Sequence, residues 1–383
     1  FEIEPAAFVR DLTVGQQQKV EILKALYQKT SLLIMDEPTA VLTPQESDLL
    51  MKFVQSFTAE GNAVIFITHK LKEVMEVADR IIVMRNGEIK GTLNRKETDQ
   101  KELSRLMIGH DLVEIDRNAI AKPAAESPVV LAFEDVTVAR KGELPALTDI
   151  SFSICAGEIF GVAGVSGNGQ QELCDVLCGT LKANSGTISL KNKSINELSV
   201  RARIEEGISY VPSDRQKDGM VMEMTLSENM MLKNSFSPDW VSHGLLSQKK
   251  ADDVTKKAIQ NFSIKASGPD DLAKSLSGGN QQKVIVAREV MNASDLIIFD
   301  QPTRGLDLGA MDYVHKTILD ERAEGKAVLL ISTDLNEVLM LSDRFTVLYK
   351  GRMMGVYESG QLNAEQIGLL MAGYELNPEE VES

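Results

Sequence analysis

Short, unbroken apolar runs punctuate the chain, and two of them stop on an aspartate. Leu32-Leu33-Ile34-Met35 runs into Asp36, and Leu296-Ile297-Ile298-Phe299 runs into Asp300. Val64-Ile65-Phe66-Ile67, Val328-Leu329-Leu330-Ile331, Val129-Val130-Leu131-Ala132-Phe133 and residues 159–163 are of the same kind. Runs of this length without alternation predict strands buried on both faces, as in a parallel sheet covered by helices. Helical stretches over 17–28, 172–177 and 281–290 fall between them. Strands alternating with helices predict a three-layer α/β domain. No apolar run reaches the roughly 18–20 residues of a membrane span, so any role at a membrane would come through a partner.

The pattern occurs twice. Adding 264 to a position in the first third of the chain finds its counterpart in the last third. LTVGQQQKV (12–20) meets LSGGNQQKV (276–284), MDEPT (35–39) meets FDQPT (299–303), Asp79-Arg80 meets Asp343-Arg344, and LMIGHDL (106–112) meets LMAGYEL (370–376). One offset without a gap over a hundred residues implies two copies of one domain. The expected division is a first copy at 1–112, a linker at 113–128, a second copy at 129–376 and a tail at 377–383. AKPAAESP within the linker lacks apolar periodicity and reads as exposed. The second copy opens 147 residues before its LSGGNQQKV; the first has no such front. The chain starts on Phe1 rather than Met, so a piece of a longer protein is expected, with the front of the first copy upstream.

Composition narrows the class. The net charge of −15 is unfavourable for a nucleic-acid binder, which usually carries a basic face. Three cysteines, Cys155, Cys174 and Cys178, are too few and odd in number for a disulfide framework, and suit a reducing compartment.

Gly164-Val165-Ser166-Gly167-Asn168-Gly169-Gln170-Gln171 lies between the strand at 159–163 and the helix at 172–177. That placement fits either a plain strand–turn–helix corner or the phosphate loop of a P-loop protein, whose backbone N–H groups and helix N-terminus attract phosphate. The pattern G-x-x-x-x-G-K-[ST] is damaged, because Gln170 replaces the lysine and Gln171 the hydroxyl residue that ligates Mg²⁺. Losing the lysine contact costs about 1.5–3 kcal/mol while the backbone cradle remains, so weak binding without efficient hydrolysis is expected.

Asp36 and Glu37 are adjacent carboxylates at a strand end. Asp36 suits holding Mg²⁺ and Glu37 suits polarising an attacking water. With LTVGQQQ upstream and His69 after the next strand, the order of motifs resembles the ABC (ATP-binding cassette) ATPases, and the resemblance covers essentially the whole chain. LSGGNQQK is similar to their signature. It implies ATP contacts at Leu276, Ser277, Gly278, Gly279, Asn280 and Gln281, and in altered form at Leu12, Thr13, Gly15 and Gln16. His69 matches the switch histidine, and Asp307 the D-loop. The implied fold is two P-loop NTPase-type cassettes, each with a helical subdomain, the first incomplete. The implied cofactors are ATP and Mg²⁺, the latter at Asp36 and at Asp300.

The second copy carries Gln301 in place of Glu37 and Thr333 in place of His69. A glutamine cannot act as a carboxylate base. Cassettes of this family pair head to tail, the signature of one completing the Walker motifs of the other. On that pattern Asp36, Glu37 and His69 go with Ser277–Gly279 and Asp307. Gln170, Gln171, Asp300, Gln301 and Thr333 go with the altered signature and Thr43. Every departure from consensus then falls on one site, which implies one hydrolytic and one degenerate site. Fused double cassettes of this kind resemble the bacterial ribose and galactose importers. Features such as PTAVLTPQE (38–46) and GVAGVSGNGQ (161–170) lean towards their nucleoside branch. The resemblance implies an ATPase at the cytoplasmic membrane face, with transmembrane permease subunits and, indirectly, an extracytoplasmic substrate-binding protein as partners, and no nucleic acid. Residues 210–215 take the place of the permease-sensing Q-loop. Met220, Met222, Met224, Met230 and Met231 then suit either a permease-facing surface or core filling. Two alternatives belong to other classes. A soluble tandem cassette acting on ribosomes is disfavoured by the charge and the short linker, and a non-hydrolysing regulator by Glu37 and His69.

Overall fold

The computed structural model describes residues 8–9, 14–27, 30–39, 44–68, 70–85, 87–108, 127–139, 146–165, 167–242, 245–292 and 294–377. The chain divides into two compact units, one built on residues 1–114 and the other on most of 115–383.

In the first unit the described elements are α1 (Val14–Tyr27), β1 (Leu32–Asp36), α2 (Pro44–Ala59), β2 (Ala63–Ile67), α3 (Leu71–Val77), β3 (Arg80–Arg85), β4 (Glu88–Asn94) and α4 (Gln100–Ile108). β1 and β2 pair in parallel, Leu33 opposite Val64 and Asp36 opposite Ile67. β3 and β4 form a separate antiparallel hairpin. Leu33 and Met35 of β1 pack with Ile22 of α1 and Leu50, Met51 and Val54 of α2. The alternate side chains face the other way and are open: Ile34 is 62% exposed and Ile65 of β2 48%.

The second unit contains β5 (Val129–Val138), β6 (Leu147–Cys155), β7 (Ile159–Ala163), α5 (Gln170–Cys178), β8 (Ser185–Leu190), β9 (Lys193–Ser194), α6 (Val200–Glu205) and β10 (Ile208–Val211). Helices α7 (Leu226–Met231) and α8 (Gln248–Asn261), with the small hairpin β11 (Val241–Ser242) and β12 (Leu245–Leu246), follow. Then come α9 (Gly278–Val290), β13 (Leu296–Asp300), α10 (Leu308–Ala323), β14 (Ala327–Ser332), α11 (Leu335–Leu341), β15 (Arg344–Tyr349), β16 (Arg352–Glu358) and α12 (Ala364–Met371). Six strands form one sheet in the order β10-β13-β14-β7-β15-β16, parallel except for β16. β6-β5-β8-β9 form a second, antiparallel sheet.

Strand periodicity sorts the core of this unit into two layers. Leu296, Ile298, Leu329 and Ile331 pack with Leu131, Phe133 and Ile150 of the antiparallel sheet and with Leu173 and Leu177 of α5. Ile297, Phe299, Val328 and Leu330 pack on the other side with α9 and α10. α7 starts at a capping box, the Thr225 hydroxyl accepting from the Glu228 N–H while the Glu228 carboxylate accepts from the Thr225 N–H. Met220 and Met230 are buried in the second layer and Met222 packs against it, so these methionines fill the core of the unit.

The 264-residue offset of the sequence carries over to the elements. α1, β1, α2, β2, α3, β3, β4 and α4 begin 264 residues before α9, β13, α10, β14, α11, β15, β16 and α12. Even the irregularity in the β3–β4 ladder near Val83 recurs near Val347. One expectation is met in only one copy. β13 and β14 are buried on both faces, but β1 and β2 on one. In the second unit β7 inserts between β14 and β15, and α5 and the antiparallel sheet cover the second face. Among the described residues of the first unit no element takes those places.

Candidate nucleotide-binding site

The phosphate loop leaves β7 at Ala163 and enters α5 at Gln170. Two of its glycines are required by geometry. Gly169 sits at φ 113°, and a Cβ there would come within 2.8 Å of the Ala146 carbonyl; at Gly164, φ 152°, it would come within 2.6 Å of the Leu348 carbonyl. Asn168 fixes the loop to the β15–β16 turn, its side-chain oxygen accepting from Lys350 N at 2.9 Å and its carbonyl from Gly351 N at 2.8 Å. Gln170 is buried and folds back over its own loop. Its Nε2 donates to the Val165 carbonyl at 3.0 Å and its Oε1 accepts from Asn168 N at 3.1 Å. A lysine could donate but not accept, so the amide holds a backbone N–H that a lysine would leave for a phosphate. Gln171 Nε2 donates to Asp175 at 3.3 Å. Ser166 lies outside the described residues.

Asp300 ends β13 and is 3% exposed. Its Oδ2 accepts from the Tyr210 hydroxyl at 3.2 Å. Burial raises its carboxyl above the ordinary range, and the hydrogen bonds from Ser213 and Tyr210 offset part of that rise. The next residue, Gln301, takes a left-handed backbone, φ 48°, with its N–H bonded to Ile331 O at 2.8 Å. Its Oε1 accepts from Thr333 Oγ1 at 2.9 Å and Thr333 N at 3.2 Å. The structure thus joins the two residues that stand where a catalytic glutamate and a switch histidine are expected.

The first unit repeats this corner. Glu37 has φ 46° and its N–H bonds to Ile67 O at 2.9 Å. A non-glycine residue is strained in this region, and the strain recurs at the same position of both copies. Thr39 Oγ1 bonds Glu73 at 2.7 Å behind it, as Thr303 bonds Glu337 at 2.7 Å in the second unit. Asp36 lies at the exposed end of β1. His69 lies outside the described residues, so its place against Glu37 is not assigned; the same holds for Leu12, Thr13 and Thr43.

Ser277 stands at the N-cap position of α9 without a side-chain capping bond, with Gly278 and Gly279 in the first turn. Asn280 donates to the Ser277 hydroxyl at 2.9 Å and accepts from Lys265 N at 2.8 Å. Leu276 is buried, and Gln281 turns inward to bond the Ala273 and Leu276 carbonyls. These two hold the entry loop together, and the face left for a phosphate is the partly exposed Ser277-Gly278-Gly279. Gly15 and Gln16 lie in the first turn of α1. Asp307 immediately precedes α10. Among the described residues no three carboxylate, histidine or cysteine side chains converge on a metal position. A single exposed carboxylate such as Asp36 is compatible with Mg²⁺, which is usually held by one or two carboxylates together with water and substrate phosphates.

The sequence profile described as ABC transporter matches residues 3–40 and 147–304, just over half of the chain. The chain belongs to the ABC transporter family. As a member it is an ATP-binding protein whose ATPase activity is coupled to transport. A nucleoside import ATP-binding protein of Lactococcus lactis is 42% identical over 98% of this ABC protein and 74% of its own length. A guanosine import ATP-binding protein of Bacillus subtilis is 42% identical over 97% and 72%. A ribose import ATP-binding protein of Clostridium tetani is 34% identical over 96% and 71%. Among solved structures, the ADP conformation of an ABC transporter cassette superposes with a TM-score of 0.53 at 24% identity, covering 66% of this chain and 97% of that one. That likeness confirms the cassette fold. No described helix is long and apolar enough to cross a membrane.

Proposed function

We propose that this ABC protein powers uptake of a nucleoside through membrane permease subunits fed by an extracytoplasmic binding protein, with hydrolysis confined to the site served by the first cassette. What supports the nucleoside assignment is 42% identity to two relatives named for nucleoside and guanosine import, against 34% to the ribose importer. Uptake of a simple sugar is the second reading, favoured by a relative from Haloferax volcanii named for glucose import at 40%.

Glu37 is the proposed general base, orienting the water that attacks the γ-phosphate. Asp36 would hold Mg²⁺, which when bound neutralises charge on the phosphates. Ser277, Gly278 and Gly279 would present backbone N–H groups to phosphate oxygens at the positive end of α9. His69 is the proposed switch contact and Asp307 the proposed D-loop residue. Binding that favours closed cassettes, followed by hydrolysis that releases them, converts ATP turnover into movement of the permease. In the second cassette Gln301 cannot serve as base and is bonded to Thr333, which supports a site that does not turn over.

Competition uptake in vesicles carrying the protein with its permease tests the assignment. Labelled guanosine accumulation should require ATP and be suppressed by other nucleosides. Accumulation of ribose or glucose that excess guanosine leaves unchanged would transfer the protein to the sugar reading.

A further inference from the structure

Asp300 is the residue at which a second Mg²⁺ is expected, and its surroundings do not fit one. Asp300 is 3% exposed and its carboxylate is already engaged. The Tyr210 phenol donates to Oδ2 at 3.2 Å. Gln171, in the place of the hydroxyl that would complete the metal's shell, donates to Asp175 at 3.3 Å. Tyr210 of β10 and Asp300 of β13 are joined by a direct side-chain hydrogen bond. Mg²⁺ gives up its water reluctantly and needs near-octahedral oxygen ligands. To reach Asp300 it would have to displace the phenol, and it would find an amide where a hydroxyl is needed. The loop is closed to the usual arrangement as well, because Gln170 occupies it and bonds both Val165 O and Asn168 N.

We propose that the second cassette holds its nucleotide without a divalent cation, the Tyr210 hydroxyl taking the place at Asp300 that the metal takes in a hydrolytic site. The inference rests on the proposed function in assuming that this pocket binds nucleotide at all. The backbone cradle of Gly164, Gly167 and Gly169 and the N-terminus of α5 then supply the phosphate contacts, with neither lysine nor cation. Such a site is suited to occupancy that outlasts the hydrolytic cycle, since the ion that activates phosphoryl transfer never enters it.

The test is equilibrium binding of ATP to the 383-residue chain in excess Mg²⁺ and in EDTA, with Mn²⁺ and electron paramagnetic resonance as the metal probe. The expected result is affinity within about twofold in the two buffers and no Mn²⁺ immobilised with the bound ATP. ATP binding at least tenfold tighter in Mg²⁺, with Mn²⁺ retained in the parent and lost in Asp300→Asn, overturns the inference and leaves nucleotide binding intact. Absence of ATP binding in both buffers overturns the nucleotide assignment of the pocket together with it. The double variant Tyr210→Phe/Gln171→Ser removes the phenol and restores the hydroxyl, so its binding should become at least fivefold tighter in Mg²⁺. Unchanged binding refutes the role given to Tyr210.

Discussion

Ile34 and Ile298 are the same residue at the same register of the same strand in two copies of one domain, and they sit in opposite surroundings. Ile298 is fully buried between the parallel sheet, the antiparallel sheet and α5, whereas Ile34 is 62% exposed. Truncating a buried isoleucine to alanine loses its transfer free energy and leaves a cavity, together about 2–5 kcal/mol. At Ile34 only about a third of the side chain is out of water and no cavity forms on an open face. The loss there should be under about 1 kcal/mol. Amide hydrogen exchange reads both sites in one experiment. Ile298→Ala should speed exchange in β13 and β14 by at least about thirtyfold, and Ile34→Ala should speed it in β1 and β2 by less than about fivefold. The only tryptophan, Trp240, is buried in the second unit, so its fluorescence follows that unit alone. Its urea midpoint should fall in Ile298→Ala and stay fixed in Ile34→Ala. Equal losses at the two positions would refute the argument, because they would mean that the outer face of β1 is covered as β13 is.

Further outcomes follow from the same observations. Glu37→Gln should lower permease-coupled phosphate release by about 10²–10⁴-fold, the usual contribution of a general base, while Gln301→Ala should change it by less than about twofold; the reverse order would move the hydrolytic site to the second cassette. The thiols should be inert while the protein is folded. Burial raises the Cys155 and Cys174 thiols and pushes Cys178 up to about 12, so at pH 8 only about one Cys178 in ten thousand is thiolate. Because the folded value lies above the unfolded one, this term favours the fold below the unfolded thiol range and is lost as pH rises towards 12. A thiol reagent should count three cysteines in denaturant and close to none without it; rapid labelling of Cys178 in the native protein would contradict that burial. Asp343 accepts a two-pronged bond from Arg322, at 2.9 and 2.8 Å, and also the Ile159 N–H at 2.9 Å, tying α10 and β15 to β7. Asp343→Asn should cost the second unit about 3 kcal/mol, seen as an earlier Trp240 transition, and a loss under about 1 kcal/mol would show that the pair is solvent-compensated.

Features carried by adjacent residues were legible in the sequence, and features set by sheet order were not. The strands ending on Asp36 and Asp300, the helices after them and the glycine loop all follow from local pattern, and the repeat fixed their register in both copies. Two features departed from the local pattern, each for its own reason. LLIM at 32–35 and LIIF at 296–299 are equally apolar, yet one is covered on a single face, since what covers the other belongs to elements remote in sequence. Gln281 belongs to a signature-like string but faces inward, because the carbonyls of Ala273 and Leu276 lie within its reach once the turn before α9 has formed.

Tyr210 shows the same limit at the site itself. It was legible only as part of a segment replacing a permease-sensing loop, and nothing in that segment points to Asp300, ninety residues on. The bond exists because β10 pairs with β13 in parallel, which sets Tyr210 opposite Ile298 and brings its hydroxyl to the end of the strand where Asp300 stands. Substitutions at Gln170, Gln171, Gln301 and Thr333 look in sequence like four separate losses. In the fold Gln170 bonds its own loop, Gln171 bonds Asp175, and the other two bond each other. A pocket drifting after losing its activity would be expected to keep buried polar atoms without partners, each costing about 1–3 kcal/mol. Here Gln170 closes on its own loop and Gln301 and Thr333 satisfy each other, as expected of the proposed site that binds without turnover.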